Sequence, residues 1–249
     1  MGDLQGLAGI VTGGSSGIGL DIANQLALQG ATVYIISRTG RVKDGYPESV
    51  PGTIHIKGDI TDKASMQKIV AELAEKHDGC LDFLVNNAGA TYKCVAQDIP
   101  EEEFDRVLNT NVKCAFLMSQ ILYPYLKKSK NKGRIINISS MSAHLGFTLV
   151  VPYCTSKAAV VGLTRGLAIE WANDNITVNS IAPGWFHSKM LDEVMDDKRR
   201  QQILNRIPVH DFGDTKDLGA LAAFLIGPHG TYINGQDYAV DGGTLAYGY

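Results

Sequence analysis

Short apolar runs alternate with longer amphipathic stretches along the 249 residues of the chain. Segments 7–12, 32–37, 53–57, 81–86, 134–139, 177–182 and 236–240 are short and rich in β-branched residues, which predicts strands. Between them, 17–29 carries Ile18, Ile22 and Leu26 on one stripe and reads as a helix, as do 61–78, 101–128, 153–173 and 215–225. Near-continuously apolar strands separated by helices predict a parallel sheet of about seven strands with helices on both faces, the α/β doubly wound class. Right-handed crossovers then bring the C-terminal ends of the strands to one edge, where ligands bind. No shift in composition divides the chain, so one domain over 1–249 is expected. Two stretches depart from the alternation. Segment 39–51 is a polar loop containing Gly and Pro, where such folds often carry a helix. Segment 184–211 is long for a connection and follows a strand end, which makes it a candidate substrate lid, with an ordinary surface excursion as the plain alternative.

Composition narrows the function classes. An apolar fraction of 45% and a charged fraction of 20% are ordinary globular values, and a net charge of -3 argues against a nucleic-acid surface. Cys80, Cys94, Cys114 and Cys154 show no CxxC spacing, so reduced, buried thiols in a cytoplasmic protein are expected. The start of the chain lacks a basic leader with an apolar run, and Gly6 stands where a myristoylation signal needs Ser or Thr. No apolar run approaches the length of a membrane span. The expected partner is a small molecule, with no nucleic acid and no membrane.

The first loop carries candidate chemistry. In Thr12-Gly13-Gly14-Ser15-Ser16-Gly17-Ile18-Gly19, glycines lie between a predicted strand and a predicted helix. Such a turn lets a pyrophosphate approach backbone N–H groups at a helix N-terminus, where the dipole favours negative charge. The spacing is G-x-x-x-G-x-G rather than the usual dinucleotide G-x-G-x-x-G, and it gains weight from following the first strand. The second strand ends in Ser37-Arg38, with no acidic residue to select NAD. Arg38 can pair with a 2′-phosphate and lie on the adenine, while Ser15, Ser16, Ser37 and Thr39 add donors. NADP(H) is the expected cofactor; a surface arginine is the alternative. Asp59, followed by Ile60 at the end of the third strand, is positioned for the adenine amino group or, more plainly, for a turn.

Tyr153 and Lys157 are four apart on a predicted helix and so share a face. A free tyrosine has a pKa near ~10, and a neighbouring ammonium is expected to lower it. Tyr-x-x-x-Lys also occurs by chance. Ser140, at the end of strand 134–139, adds a hydroxyl that can hold a substrate oxygen while Tyr153 moves the proton.

With these motifs in order, followed by Asn86-Asn87-Ala88-Gly89, Asn111, Pro183-Gly184 and Val240-Asp241-Gly242-Gly243, the chain resembles the short-chain dehydrogenase/reductase family over nearly its whole length. The resemblance implies a Rossmann-type sheet and interconversion of a secondary alcohol and a ketone. It implies that Asn87, Ala88 and Gly89 touch the cofactor and that Asn111 completes a Ser-Asn-Tyr-Lys tetrad, its backbone holding a relay water. From the residues alone Asn111 reads as a helix-interior residue without a role. The resemblance also implies that Pro183, Gly184, Phe186 and Ser188 flank the nicotinamide, with Ser188 where threonine is usual. Homo-oligomers, tetramers or dimers pairing helices 101–128 and 153–173, are implied too.

For the substrate, the stretch from Glu170 to Phe186 resembles sugar-acid members such as gluconate 5-dehydrogenases, and also 3-oxoacyl-carrier-protein reductases and rhamnolipid-pathway reductases. Hydroxysteroid dehydrogenases share the tetrad. Segments 141–152 and 184–211 contain Leu145, Phe147, Leu149, Val150, Val151, Trp185, Phe186, Met190, Leu191 and Met195, a set that is apolar for a polyol site and would suit a bulkier ketone, some of them being core or subunit contacts instead. Ser140, His144, Tyr153, Trp185 and Met190 are the candidate substrate contacts. No metal-ligand spacing appears. A cofactor-sensing protein without catalysis is the reading of a different class, and the intact Tyr153 and Lys157 count against it.

Overall fold

A computed structural model describes residues 3–187 and 196–247. Its seven strands are β1 Ala8–Thr12, β2 Thr32–Ser37, β3 Thr53–Lys57, β4 Phe83–Asn86, β5 Gly133–Ile138, β6 Ile176–Pro183 and β7 Asp237–Val240. All neighbours pair in parallel, in the order β3-β2-β1-β4-β5-β6-β7. The helices are α1 Gly17–Leu28, α2 Lys63–Glu75, α3 Glu101–Leu108, α4 Cys114–Leu126, α5 Val151–Glu170, α6 Asp197–Leu204 and α7 Thr215–Ile226.

Successive strand residues point to opposite faces, and the apolar pairs along the strands fill both. Val11, Ile35, Val85 and Ile136 pack under α1 and α7, with Leu20, Leu26, Leu218 and Leu225. Their neighbours Ile10, Tyr34, Leu84 and Ile135 pack on the other side against α2, α4 and α5, through Met66, Leu122 and Leu167. Each large buried side chain contributes roughly 1.5–3 kcal/mol of transfer free energy. The edge strands β3 and β7 are only half-buried, because each lacks a neighbour on one side.

The strand order reverses direction between β1 and β4, which lie side by side. The chain leaves these two strands toward opposite ends of the sheet, opening the crevice where such folds take ligands. The glycine turn after β1 and Asn87-Ala88-Gly89 after β4 both lie there.

Local chemistry sets the element ends. α2 begins at Lys63, two residues later than expected, because the Asp62 carboxylate accepts the Ser65 N–H at 3.0 Å. The expected helix 101–128 divides into α3, a π turn over Asn109–Lys113, and α4. Segment 39–51 forms no helix; Val42, Tyr46 and Val50 pack onto the core, and Lys43 N–H donates to the Ser15 carbonyl at 2.8 Å. Within 184–211, α6 is a short helix capped by Asp196. The expected site residues Ser188 and Met190 lie outside the described residues. Among the described residues no cysteines are paired; Cys114 is buried, whereas Cys80, Cys94 and Cys154 are only half-buried. Among them no helix is long and apolar enough to cross a membrane, and no His, Cys, Asp and Glu cluster suits a metal.

Candidate active site

The loops after β1 and β4 are locked together. Asn87 Nδ2 donates to the carbonyls of Thr12 and Gly13 at 3.0 and 3.1 Å. Thr12 Oγ1 accepts the N–H groups of Asn87 and Ala88 at 3.1 and 3.2 Å. This contact leaves no room for side chains on the glycine turn. A Cβ at Gly19 would stand 2.2 Å from Asn87 Nδ2, and one at Gly13, where φ is +71°, would stand 2.7 Å from the Ala88 Cα.

Gly17 differs. Its φ of +56° favours glycine, yet open space faces the missing Cβ. Ser16 is extended and makes no side-chain cap to α1, and no acid lies in that helix's first turn. Helices α2, α6 and α7, by contrast, are each capped by an aspartate: Asp62, Asp196 and Asp214. The start of α1 therefore offers uncapped N–H donors beside an open cradle, the chemistry a phosphate group needs. Ser15 and Ile18 flank it, and Ile18 also packs on the core.

At the far end of this groove, Ser37 Oγ accepts the Gly40 N–H at 3.2 Å and meets Thr39 Oγ1 at 3.3 Å. Arg38 is exposed and makes no hydrogen bond or ion pair among the described residues. Asp59 Oδ1 accepts both the N–H and the hydroxyl of Thr61, at 2.9 and 2.8 Å. Those bonds hold its carboxyl below the ordinary range, with a smaller contribution from the nearby Arg38 charge. Asp59 thus forms a turn, and its neighbour Ile60 packs partly against the core.

The catalytic candidates converge at the ends of β5 and α5. Ser140 follows β5 in extended conformation, is 9% exposed, and accepts the Ser142 N–H through Oγ at 3.1 Å. Tyr153 lies in the first turn of α5, and Lys157 one turn further, 5% exposed. Lys157 Nζ donates to the Ile138 carbonyl at 2.7 Å and sits 5.5 Å from the centre of the Tyr153 ring. Burial brings the Lys157 ammonium down to about 8. Tyr153 is half-buried, and desolvation raises the pKa of its phenol, partly offset by the nearby Ser140 hydroxyl. The expected net lowering of the Tyr153 pKa is therefore not found; desolvation outweighs the Ser140 contribution.

Asn111 occupies the π turn, 3% exposed. Its Nδ2 donates to the Ala90 carbonyl at 2.9 Å and to Ser156 Oγ at 2.8 Å, while Oδ1 accepts the Ala90 N–H at 2.7 Å. Ser156 in turn donates to the Tyr153 carbonyl at 2.7 Å. One amide thus ties the segment following Gly89 to the turn of α5 that bears the tyrosine. The π turn, a feature frequent at functional sites, is what aims Asn111 there.

The family model described as enoyl-(acyl carrier protein) reductase matches residues 13–244. The chain belongs to the short-chain dehydrogenase/reductase family. It is similar to 2-dehydro-3-deoxy-D-gluconate 5-dehydrogenase of Bacillus subtilis (strain 168), 38% identical over 98% of this chain and 96% of that one. It is 35% identical to a 3-oxoacyl-[acyl-carrier-protein] reductase of Thermotoga maritima, over 97% and 99% of the two chains. Among solved structures it resembles a gluconate 5-dehydrogenase from Burkholderia cenocepacia J2315 in complex with NADP and tartrate, with a TM-score of 0.87 and 28% identity over 98% and 97% of the chains. This short-chain dehydrogenase/reductase is an oxidoreductase.

The surroundings of the oxidoreductase's cluster differ in places from the sequence expectations. Phe186 is buried in the core against Gly213, whose Cβ would stand 2.5 Å from its ring. Gly184 N–H donates to the Val240 carbonyl at 2.9 Å, fastening the Pro183-Gly184 strand end to β7. Trp185 makes an edge contact with Phe147 at 6.5 Å between ring centres, joining segments 141–152 and 184–211. His144 is bound to Asp237 at 2.6 Å, and His187 lies 3.7 Å from Asp211.

The expected apolar lining is not what the groove beside these segments presents. A groove of about 460 Å³ is lined by Lys93, Thr148, Leu149, Asp196, Lys198, Arg199 and Gln202. Of the apolar residues in these segments, Leu145, Leu149 and Val151 are exposed and Phe186 is buried, while Met190, Leu191 and Met195 lie outside the described residues. Sequence reasoning also missed Ser156, which lies between Tyr153 and Lys157.

Proposed function

We propose that the protein is an NADP(H)-dependent oxidoreductase that interconverts a secondary alcohol and a ketone on an anionic, keto-sugar-acid substrate. The observation that carries the substrate class is the basic groove. Lys93, Lys198 and Arg199 line it together with one acid, Asp196, whose carboxylate accepts the Arg199 backbone N–H at 2.7 Å. Lys93 adjoins Cys94, whose N–H donates to the Leu149 carbonyl at 2.9 Å, just before α5 begins. Cations lining this groove suit a carboxylate. The B. subtilis relative is named for a gluconate derivative, and the B. cenocepacia structure holds tartrate, a dicarboxylate, with NADP.

The cofactor reading rests on the uncapped start of α1, the open cradle at Gly17 and the exposed Arg38. Gly13, Ser15, Ser16 and Gly19 would hold the pyrophosphate, Ser37 and Arg38 the 2′-phosphate, Asp59 and Ile60 the adenine, and Asn87, Ala88 and Gly89 the inner ribose. When bound, the nicotinamide supplies or accepts a hydride at the substrate carbon. Ser140 and Tyr153 polarise the substrate oxygen, and Tyr153 gives its proton in reduction. Lys157, charged at neutral pH, supports the developing phenolate and the ribose hydroxyls. The backbone of Asn111 would hold a water that refills the proton. Residues 184–211 would serve as a lid over the substrate.

Steady-state rates with NADPH and with NADH on 5-ketogluconate, a 3-oxoacyl thioester and a keto-steroid test the reading. Turnover of 5-ketogluconate with NADPH, with a raised KM in Lys93→Ala, is expected. Turnover of the keto-steroid alone would overturn it. A second reading, 3-oxoacyl-thioester reduction, is supported by the T. maritima similarity and by the same basic groove, which suits an acidic carrier. Turnover of the thioester alone would select it. Full biological effect in a Tyr153→Phe protein would instead favour a cofactor sensor.

The protein is further proposed to be a cytoplasmic homo-oligomer. Phe116 and Ile169 are exposed on α4 and α5, as is Tyr247 near the chain end. A monomer mass in light scattering would contradict this.

A further inference from the structure

One carboxylate outside the tetrad gathers the turn that carries Ser140. Asp237, on edge strand β7, is only 5% exposed in its side chain. Its Oδ1 accepts the hydroxyls of Ser139 and Ser180, both at 2.6 Å. Its Oδ2 meets His144 Nε2 at 2.6 Å. Burying a carboxylate is costly unless donors surround it, and here three do.

Those donors are not scattered. Ser139 immediately precedes Ser140. His144 closes the short turn that Ser140 opens, its own N–H bonded to the Met141 carbonyl at 3.0 Å. Both ends of the turn are therefore tied to one carboxylate, with Ser140 between them. Within the turn, Ser140 Oγ accepts from Ser142 N–H, which leaves its own proton free to be donated. The exposed His144 is the outer tie and Ser139 the inner one.

We propose that Asp237 and His144 are positioning residues that fix the Ser140 hydroxyl against the Tyr153 phenol. The proposal rests on the role given to Ser140 above. It goes further in assigning the geometry of that serine to a pair of residues outside the tetrad.

The test is a double-mutant cycle on the full-length protein with saturating NADPH. It uses 5-ketogluconate or the 3-oxoacyl thioester, whichever the wild type turns over faster. His144→Ala is expected to lower kcat by about tenfold with KM little changed, the loss of one charge-assisted hydrogen bond felt only at the reacting oxygen. His144→Gln, which keeps a donor, restores most of it. Asp237→Ala lowers kcat further and Asp237→Asn less. In a Ser140→Ala background, His144→Ala has no further effect on kcat, because the residue it positions is gone. The same tenfold loss in both backgrounds would overturn the proposal, as would a change confined to KM. If Asp237→Ala fails to fold, the two exposed-site His144 variants carry the test unaided. Wild-type rates in Ser140→Ala would instead remove the Ser140 role itself, a separate failure.

Discussion

The two halves of the crevice are built in opposite ways. At the catalytic end, side chains are buried and bonded to protein: Lys157 to Ile138, Asn111 to Ala90 and Ser156, Ser156 to Tyr153. At the cofactor end, the start of α1 is uncapped, Gly17 faces open space and Arg38 is exposed. The catalytic groups are thus preorganised before any ligand arrives, which is what electrostatic catalysis requires. The nucleotide end leaves its donors to be completed by a ligand. Mutations at the first end should change rate, and mutations at the second should change binding.

Tyr153→Phe is the strongest challenge to this division. It should lower kcat by roughly 10²- to 10⁴-fold while NADPH affinity, read by fluorescence titration, stays within a factor of about two. Gly19→Ala should do the reverse. Its Cβ collides with Asn87 Nδ2, so NADPH binding should weaken by more than about tenfold and the melting temperature should fall by several degrees. Arg38→Asp should reduce the NADPH-to-NADH ratio of kcat/KM by about tenfold or more, the scale of one charge-assisted hydrogen bond. An unchanged ratio would remove Arg38 from the 2′-phosphate. Ser156→Ala probes the links within the catalytic end. It leaves a donor of buried Asn111 without its hydroxyl partner, so stability should fall by about 1–3 kcal/mol in urea unfolding, with a several-fold lower kcat.

The smallest effect is on pH. Lys157 titrates near 8 in the folded protein and at the ordinary, higher lysine value when unfolded. Between these values the unfolded chain binds the extra proton, so this group makes stability rise with pH over that window. Tyr153 acts oppositely at still higher pH: its folded pKa is raised, so the unfolded chain ionises first and stability falls. Denaturant unfolding from neutral pH upward should show the Lys157 contribution vanish in Lys157→Met.

The sheet was legible because each strand is a short β-branched run and each crossover a longer amphipathic one. All seven expected strands are present, within a residue or two at their ends. What periodicity could not reveal was the π turn, since 101–128 keeps a helical pattern throughout and the register shift is decided by Asn111 reaching Ala90. Local spacing found Tyr153 and Lys157, which lie on one helix face. It could not find Asp237, whose partners Ser139 and His144 are 98 and 93 residues away. Hydrophobicity alone could not say which apolar residues of the substrate segments face a ligand: Phe186 is buried in the core, whereas Leu145, Leu149 and Val151 are exposed.

The central claim, that one end of the crevice sets rate and the other sets binding, is tested most directly by one matched set. NADPH affinity and turnover would be measured on the same preparations of wild type, Tyr153→Phe and Arg38→Asp. The account predicts that Tyr153→Phe loses turnover and keeps affinity, while Arg38→Asp loses NADPH affinity and keeps kcat at saturation. Affinity and turnover falling together in both variants would contradict it.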